Sequence, residues 1–209
     1  LEAVLEGWGG EYLLDSYFSE RHTIGGRNTR EAADCFDCLN DVMVYGDELD
    51  EEGPKGDRFR EELGRVLQDQ EKLISSSGTL LGYRYEGSPI VVSDGTPEPK
   101  DDPRKYAPVA RPGHRAPHIW LEEGVSILDK LGKGFTLFKF TAIDTHLLED
   151  SAECVGLPLE VVSITNTAAA DLYDANLVLV RPDLMIAWRS DNLPDQLPDL
   201  LNQVRGAYQ

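Results

Sequence analysis

The chain has 209 residues, 41% of them hydrophobic, enough for one well-buried core or two small ones at typical domain sizes of about 100–150 residues. Its 20 Lys and Arg against 38 Asp and Glu leave a formal charge of −18, a field that repels phosphate backbones and anionic lipid and argues against nucleic-acid and membrane partners. No apolar run approaches the roughly 20 residues of a membrane span, the opening residues lack the basic-then-apolar order of a signal peptide, and three cysteines are too few for a disulfide framework, so the expected location is cytoplasmic.

The opening "LEAVLEGWGG" reads as the last turns of a helix closed by Gly7, with more chain expected upstream because there is no initiating Met. Residues 11–22 carry Leu13, Leu14, Tyr17 and Phe18 at helical spacing, which predicts a short helix with that face buried. Gly25 and Gly26 are expected to break it, and Asn28 with Glu31 three residues on offers the cap of a new helix. Its apolar stripe of Cys35, Phe36, Leu39, Val42 and Met43 predicts a run to about Tyr45. "GDELDEEGPKGDR" is an acidic, solvated loop. Phe59, Leu63, Val66, Leu67, Gln70, Leu73 and Ile74 then trace a further amphipathic helix ended by "SSSG". The predicted division is a helical segment over 1–78, a connector of β-type runs and prolines over 79–110, and a terminal domain over 111–209.

Beyond "RPGHRAPHIW" come "GFTLFKF", "DTHLLEDSAECVG", "LEVVSI", "AAADLYDA", "NLVLVRPDLMIAWRS" and "LPDLLNQVRGAY". Their periods read β-α-β-α-β-β-α, with a hairpin about Pro182 and Asp183. The fold class is α/β, a helical segment followed by a thioredoxin-like domain. Period-2 alternation places Leu184, Ile186 and Trp188 together on a core-facing side of the last strand.

The sharpest chemical motif is "CFDC", Cys35 and Cys38, a spacing that serves thiol redox work when it sits at a helix N-terminus. Here both cysteines fall about two turns inside a predicted helix, and the place where a thioredoxin-like domain carries its thiols reads "TAIDTH", with no cysteine. Packing is the favoured role. His114 and His118 are four apart, but Pro112, Gly113 and Pro117 exclude the regular helix that would aim both at one metal, and His22 and His146 stand far off in sequence. No phosphate-cradling glycine motif occurs, so neither a cofactor nor a metal is expected on this chain alone.

Four segments in order, "LEAVLEGWGGEYLLDSYFSERHTIGGRNT", "LLGYRYEGSPIVVSDGTPEP", "RPGHRAPHIWL" with "LGKGFTLFKF", and "DANLVLVRPDLMIAWRS", resemble the C-terminal part of the FAD-dependent aromatic-ring hydroxylases, the phenol, chlorophenol and hydroxyphenylpropionate hydroxylases among them. The resemblance implies a monooxygenase acting on phenolic rings with FAD, NAD(P)H and O₂, and a missing N-terminal FAD-binding portion as partner. It also implies a terminal thioredoxin-like domain without redox cysteines, serving structure and contacts between portions or in a homodimer. Pro112, Arg115, Pro117, His118 and Trp120 would fix the entry of the chain into that domain. Tyr17, Glu20 and Arg21 match a "Y-x-x-ER" motif, although Thr23 stands where the family usually has proline. Two alternatives remain open: a stand-alone interaction module, and a thiol oxidoreductase using Cys35 and Cys38.

Overall fold

A computed structural model describes residues 1–43, 46–69 and 75–208. They divide into two compact units, one made of Leu1–His22, Tyr83–Lys100 and Pro108–Gln209, the other of Thr23–Gly82 and Asp101–Ala107.

The first unit is built on a four-stranded sheet of β3 (Phe135–Lys139), β4 (Leu159–Ser163), β5 (Leu177–Val180) and β6 (Ile186–Ser190), in the spatial order β4-β3-β5-β6. β3 and β4 are parallel, joined through α5 (His146–Cys154), while β5 runs antiparallel to both β3 and β6. Both faces are covered, which is why "FTLF" and "LVLV" are buried at every position rather than at alternate ones. Leu137, Leu177 and Leu179 pack on one face with Leu148 and Ala152 of α5 and Leu201 and Val204 of α7 (Leu197–Val204). Phe138, Val178 and Val180 pack on the other with Ala169 and Tyr173 of α6 (Thr167–Tyr173) and with Ile127.

The pairing of β6 is not regular. Leu179 faces Trp188 and Val180 faces Ile186, so Ala187 is an extra residue opposite the junction. Such a bulge breaks the two-residue alternation, and Trp188 joins the α5–α7 side of the core while Ile186 joins the α6 side. The expectation that these two share a face is therefore corrected.

Ahead of the sheet, β1 (Trp120–Glu122) and β2 (Val125–Ser126) form a small hairpin that strand-length patterns did not reveal. It leads into a 3₁₀ turn, Ile127–Lys130, closed by a capping box: Ser126 Oγ accepts from the Leu128 N–H and Asp129 accepts from the Ser126 N–H. Asn166 caps α6 by accepting from Ala169, and its amide donates to the Leu121 carbonyl, fastening hairpin to helix. The β-type runs expected from Thr79 are mostly irregular backbone, because their partners are scattered single contacts: Val92 donates to Ala187, and Arg84 forms an isolated bridge with His114.

α1 (Glu2–Leu5) is followed by α2, Leu13–Met43, whose first turns belong to this unit. Ser16 and Glu20 point inward, whereas Leu14, Tyr17 and Phe18 are exposed, against the expectation of a buried Leu14/Tyr17/Phe18 face. No helix break occurs at Gly25 and Gly26. A glycine inside a helix costs only about 0.5–1 kcal/mol, less than the cooperative gain of a long continuous helix, and Thr29 Oγ donates back to the Gly25 carbonyl. Asn28 is thus an interior residue and not a cap.

The second unit contains the rest of α2, a 3₁₀ turn over Asp47–Asp50 within the exposed acidic loop, α3 (Pro54–Asp69) and α4 (Ser77–Leu81), which replaces the expected "SSSG" stop. Arg27 holds it together, donating to both oxygens of Asp101 at 2.7 and 2.9 Å and to the Gly78 and Thr79 carbonyls. A Cβ at Gly78 would stand 1.8 Å from the Asp102 carbonyl oxygen, so only glycine fits. Phe36, Leu39 and Met43 are exposed, so these three residues of the predicted stripe are not buried among the described residues. Tyr45, Gln70, Leu73 and Ile74 lie outside the described residues.

Candidate functional site

The charged residues of the first unit gather in two clasps, both of which hold chain segments far apart in sequence. In the first, Glu20 on α2 receives Nη1 of Arg181 at 2.6 Å and Nη2 at 3.0 Å, with the Ser88 hydroxyl donating at 2.6 Å. Arg181 closes β5 and also donates to Asp183 from Nε and Nη2. Burial alone would lower the Arg181 pKa, but the Glu20 hydrogen bonds and the Asp183 charge outweigh it and raise the value. Tyr85 lies beneath, with the guanidinium carbons of Arg181 and Arg21 at 5.5 and 5.7 Å from its ring centre, and burial pushes its hydroxyl up to about 12.

The second clasp fixes the loop 94–98 to the entry segment and to β6. Asp94 receives Arg189 Nε at 2.6 Å and both the backbone N–H and the hydroxyl of Thr96. Arg111 donates to the Thr96 hydroxyl and carbonyl, and its Nη1 stands 2.5 Å from Glu98 in a charge contact whose angle is not that of a hydrogen bond. Arg84 and His114 also converge on Glu98, at 3.2 and 3.3 Å. Burial works to raise both carboxyls, yet hydrogen bonds from Thr96 and Arg189 hold Asp94 below its usual range, and the contact with the Arg111 guanidinium together with the His114 hydrogen bond does the same for Glu98. The His114 pKa is lowered too: burial of the imidazolium outweighs the pull of Glu98.

Between the clasps, residues 113–116 run along the start of β6, with Gly113 donating to Ile186, Ile186 to His114 and Ala116 to Leu184. Gly113 has φ +85° and a Cβ there would sit 3.1 Å from the Tyr85 carbonyl, so the tight approach requires glycine. Pro112 and Pro117 are buried, Arg115 is half-buried in a bridge with Met185, and the Pro117 carbonyl accepts from the Tyr173 hydroxyl at 2.9 Å. His118 meets the Ser126 hydroxyl at 2.7 Å and stands edge-on to the exposed Trp120. Trp188 is buried in the core.

The structure thus brings Glu20 to Arg181 and the entry segment to β6, while Tyr17 and Arg21 lie on the exposed side of α2. Sequence reading missed Ser88, Asp94, Glu98, Arg111, Arg181 and Arg189. The signal available was a charge placed against an apolar strand, as in "LVLVRPD" and "IAWRS". Cys35 and Cys38 lie inside α2 and form no disulfide. Among the described residues no group of three His, Cys, Asp or Glu is placed to hold a metal ion, and no helix is long and apolar enough to cross a membrane. The arrangement is chemically suited to fastening segments.

Residues 109–207 match the family model described as aromatic-ring hydroxylase, C-terminal. The chain belongs to the C-terminal part of the FAD-dependent aromatic-ring hydroxylase family. It is 30% identical over 221 residues to the FAD-dependent monooxygenase opdD of Penicillium oxalicum, a match covering 99% of this chain and 42% of that protein. To 2,4-dichlorophenol 6-monooxygenase of Cupriavidus pinatubonensis it is 29% identical, over 97% of this chain and 40% of that one. Among solved structures it resembles the rebeccamycin biosynthetic enzyme RebC with reduced flavin, with TM-score 0.86, 35% identity and coverage of 99% of this chain and 39% of that one. The chain therefore spans well under half the length of these relatives.

Proposed function

We propose that the whole protein is an FAD- and NAD(P)H-dependent monooxygenase that hydroxylates a phenolic ring in the cytoplasm, and that these residues serve its structure and the contacts between its portions. The observation that carries this reading is a match running through 99% of the chain into flavin-dependent monooxygenases. In the reaction one oxygen atom of O₂ enters the ring as a hydroxyl, the other leaves as water, and NAD(P)H supplies the two electrons. The flavin provides the oxygen chemistry.

No glycine-rich turn of the kind that cradles a dinucleotide phosphate occurs in this sequence. The groove at α1 and α2 is lined by Arg181, whose guanidinium is already engaged by Glu20 and Asp183. FAD is assigned to the N-terminal portion, and no step is placed on residues of this chain. The terminal domain over 111–209 is read as thioredoxin-like without redox thiols. That reading is supported by a parallel β3-α5-β4 crossover beside an antiparallel β5–β6 pair in the order β4-β3-β5-β6, and by the absence of cysteine from Thr141 to Thr145. The segments 1–78 and 79–110 are read as the end of the flavin and substrate part and its connector.

The test is to express the full-length protein and measure its flavin spectrum and phenol-dependent NAD(P)H oxidation, with mass spectrometry of the product. A product heavier by one oxygen, labelled from ¹⁸O₂, is expected. A flavin-free protein inert toward phenols would refute the reading.

A further inference from the structure

We propose that the apolar face formed by Leu1, Leu5, Leu14, Tyr17 and Phe18 is the seat on which the flavin-binding portion of the longer polypeptide docks, with an apolar side chain of that portion filling the adjoining groove. This rests on the reading of the chain as the C-terminal portion of a hydroxylase. On α2, Ser16 and Glu20 turn inward and are 3% and 6% exposed, while Leu14, Tyr17 and Phe18, spaced i, i+3 and i+4, are 49%, 67% and 70% exposed. That spacing places the three on one helix face. Leu1 and Leu5, at either end of α1, are each 84% exposed. The groove joins the two helices into one surface, because Leu1, Leu14 and Tyr17 line it together with Ile90, Phe135 and Pro182.

A contiguous apolar face of this kind marks an interaction site, whereas single exposed apolar residues do not. Its occupant follows from three observations. The relatives carry more than half of their length outside the matched C-terminal region, so a covalently attached portion is at hand. The groove of about 280 Å³ has room for side chains and is lined by apolar Leu1, Leu14, Ile90 and Phe135. Two copies of a chain of charge −18 repel each other, which disfavours a second copy on this face. At the groove Arg21 and Lys133 make no ion pair among the described residues, so a carboxylate beside the docking apolar side chain would complete the contact.

The test compares hydroxyl-radical footprints of the 209-residue chain and the full-length protein. Labelling of Leu14, Tyr17 and Phe18 should fall by about tenfold in the full-length protein, as expected for residues desolvated at an interface centre, while the exposed Trp120 serves as the reference for overall reactivity. Equal labelling of Tyr17 and Phe18 in both, in a full-length protein that holds flavin, would overturn the docking proposal and leave the hydroxylase reading standing. Protection in a full-length protein without flavin would support docking and overturn that reading. Protection appearing in the 209-residue chain as its concentration rises, together with a dimer in sedimentation, would assign the face to a second copy and overturn the proposal.

Discussion

Replacing Arg181 by Met should destabilise the protein by about 3–5 kcal/mol, the range for removing one partner of a buried ion pair. The loss comes from what is left behind. Glu20 is 6% exposed, takes 2.6 and 3.0 Å bonds from the guanidinium, and would keep only the Ser88 hydroxyl among the donors seen here. Glu20→Gln should cost less, about 1–3 kcal/mol, because Arg181 keeps two bonds to Asp183, whose side chain is 38% exposed and partly solvated. The double variant Glu20→Gln/Arg181→Met removes both charges, so it should be more stable than the sum of the two losses predicts, by about 1.5–3 kcal/mol. Urea unfolding with linear extrapolation measures all four corners of the cycle. If the two losses simply add, to within about 0.5 kcal/mol, the carboxylate and the guanidinium act independently and the clasp is not the source of the stability.

Acid should weaken the same unit in two stages. His114, Asp94 and Glu98 all have lowered pKa values in the fold, so each contributes stability that is full above its ordinary value and is lost as pH falls through its folded value. Thermal melts should therefore begin to fall below about pH 6.5, the ordinary histidine value, and more steeply below about pH 4.5. His114→Asn should flatten the upper stage alone, and an unchanged profile in that variant would remove His114 from the account. Gly25→Ala and Gly26→Ala should each stabilise by about 0.5–1 kcal/mol, since a Cβ meets nothing within 4 Å at Gly25 and only the end of Arg30 at Gly26; a drop in melting temperature would contradict an unbroken α2. Trp188→Ala should cost about 3–5 kcal/mol with an early melt, because the ring is buried against Leu179; a normal melt would place it outside the core.

The terminal α/β part was legible because its strands and helices announce themselves locally. "GFTLFKF", "LEVVSI" and "NLVLV" are short β-type runs between turn signals, and each helix carries a stripe of its own. What stayed hidden depends on distant partners. The β1–β2 hairpin has strands of three and two residues, too short for any periodic signal. The bulge at Ala187 is a mismatch between two strands, and neither strand records it alone. Gly25 and Gly26 looked like a stop because local propensity was weighed without the continuation of helix on both sides. The burial expected for Tyr17 and Phe18 failed for a related reason: an apolar stripe says that a partner is wanted, and says nothing of whether the partner lies in the same 209 residues. Of the fastening residues, Glu20 and the entry prolines came through the resemblance, while Asp94, Glu98 and Arg189 could not be paired without the fold.

Glu20 and Arg181 are 161 residues apart, and that distance bears on how the protein is made. At synthesis rates of about 5–20 residues per second, the ribosome needs roughly 8–30 s to deliver the arginine after the glutamate. Throughout that interval the first turns of α2 carry a carboxylate without its cation, and this helix cannot settle into its final place. Completion waits for the β5–β6 hairpin. A chain truncated before Arg181 would lack the cation, the last strand and α7 together, and would be a natural client for chaperones or proteases.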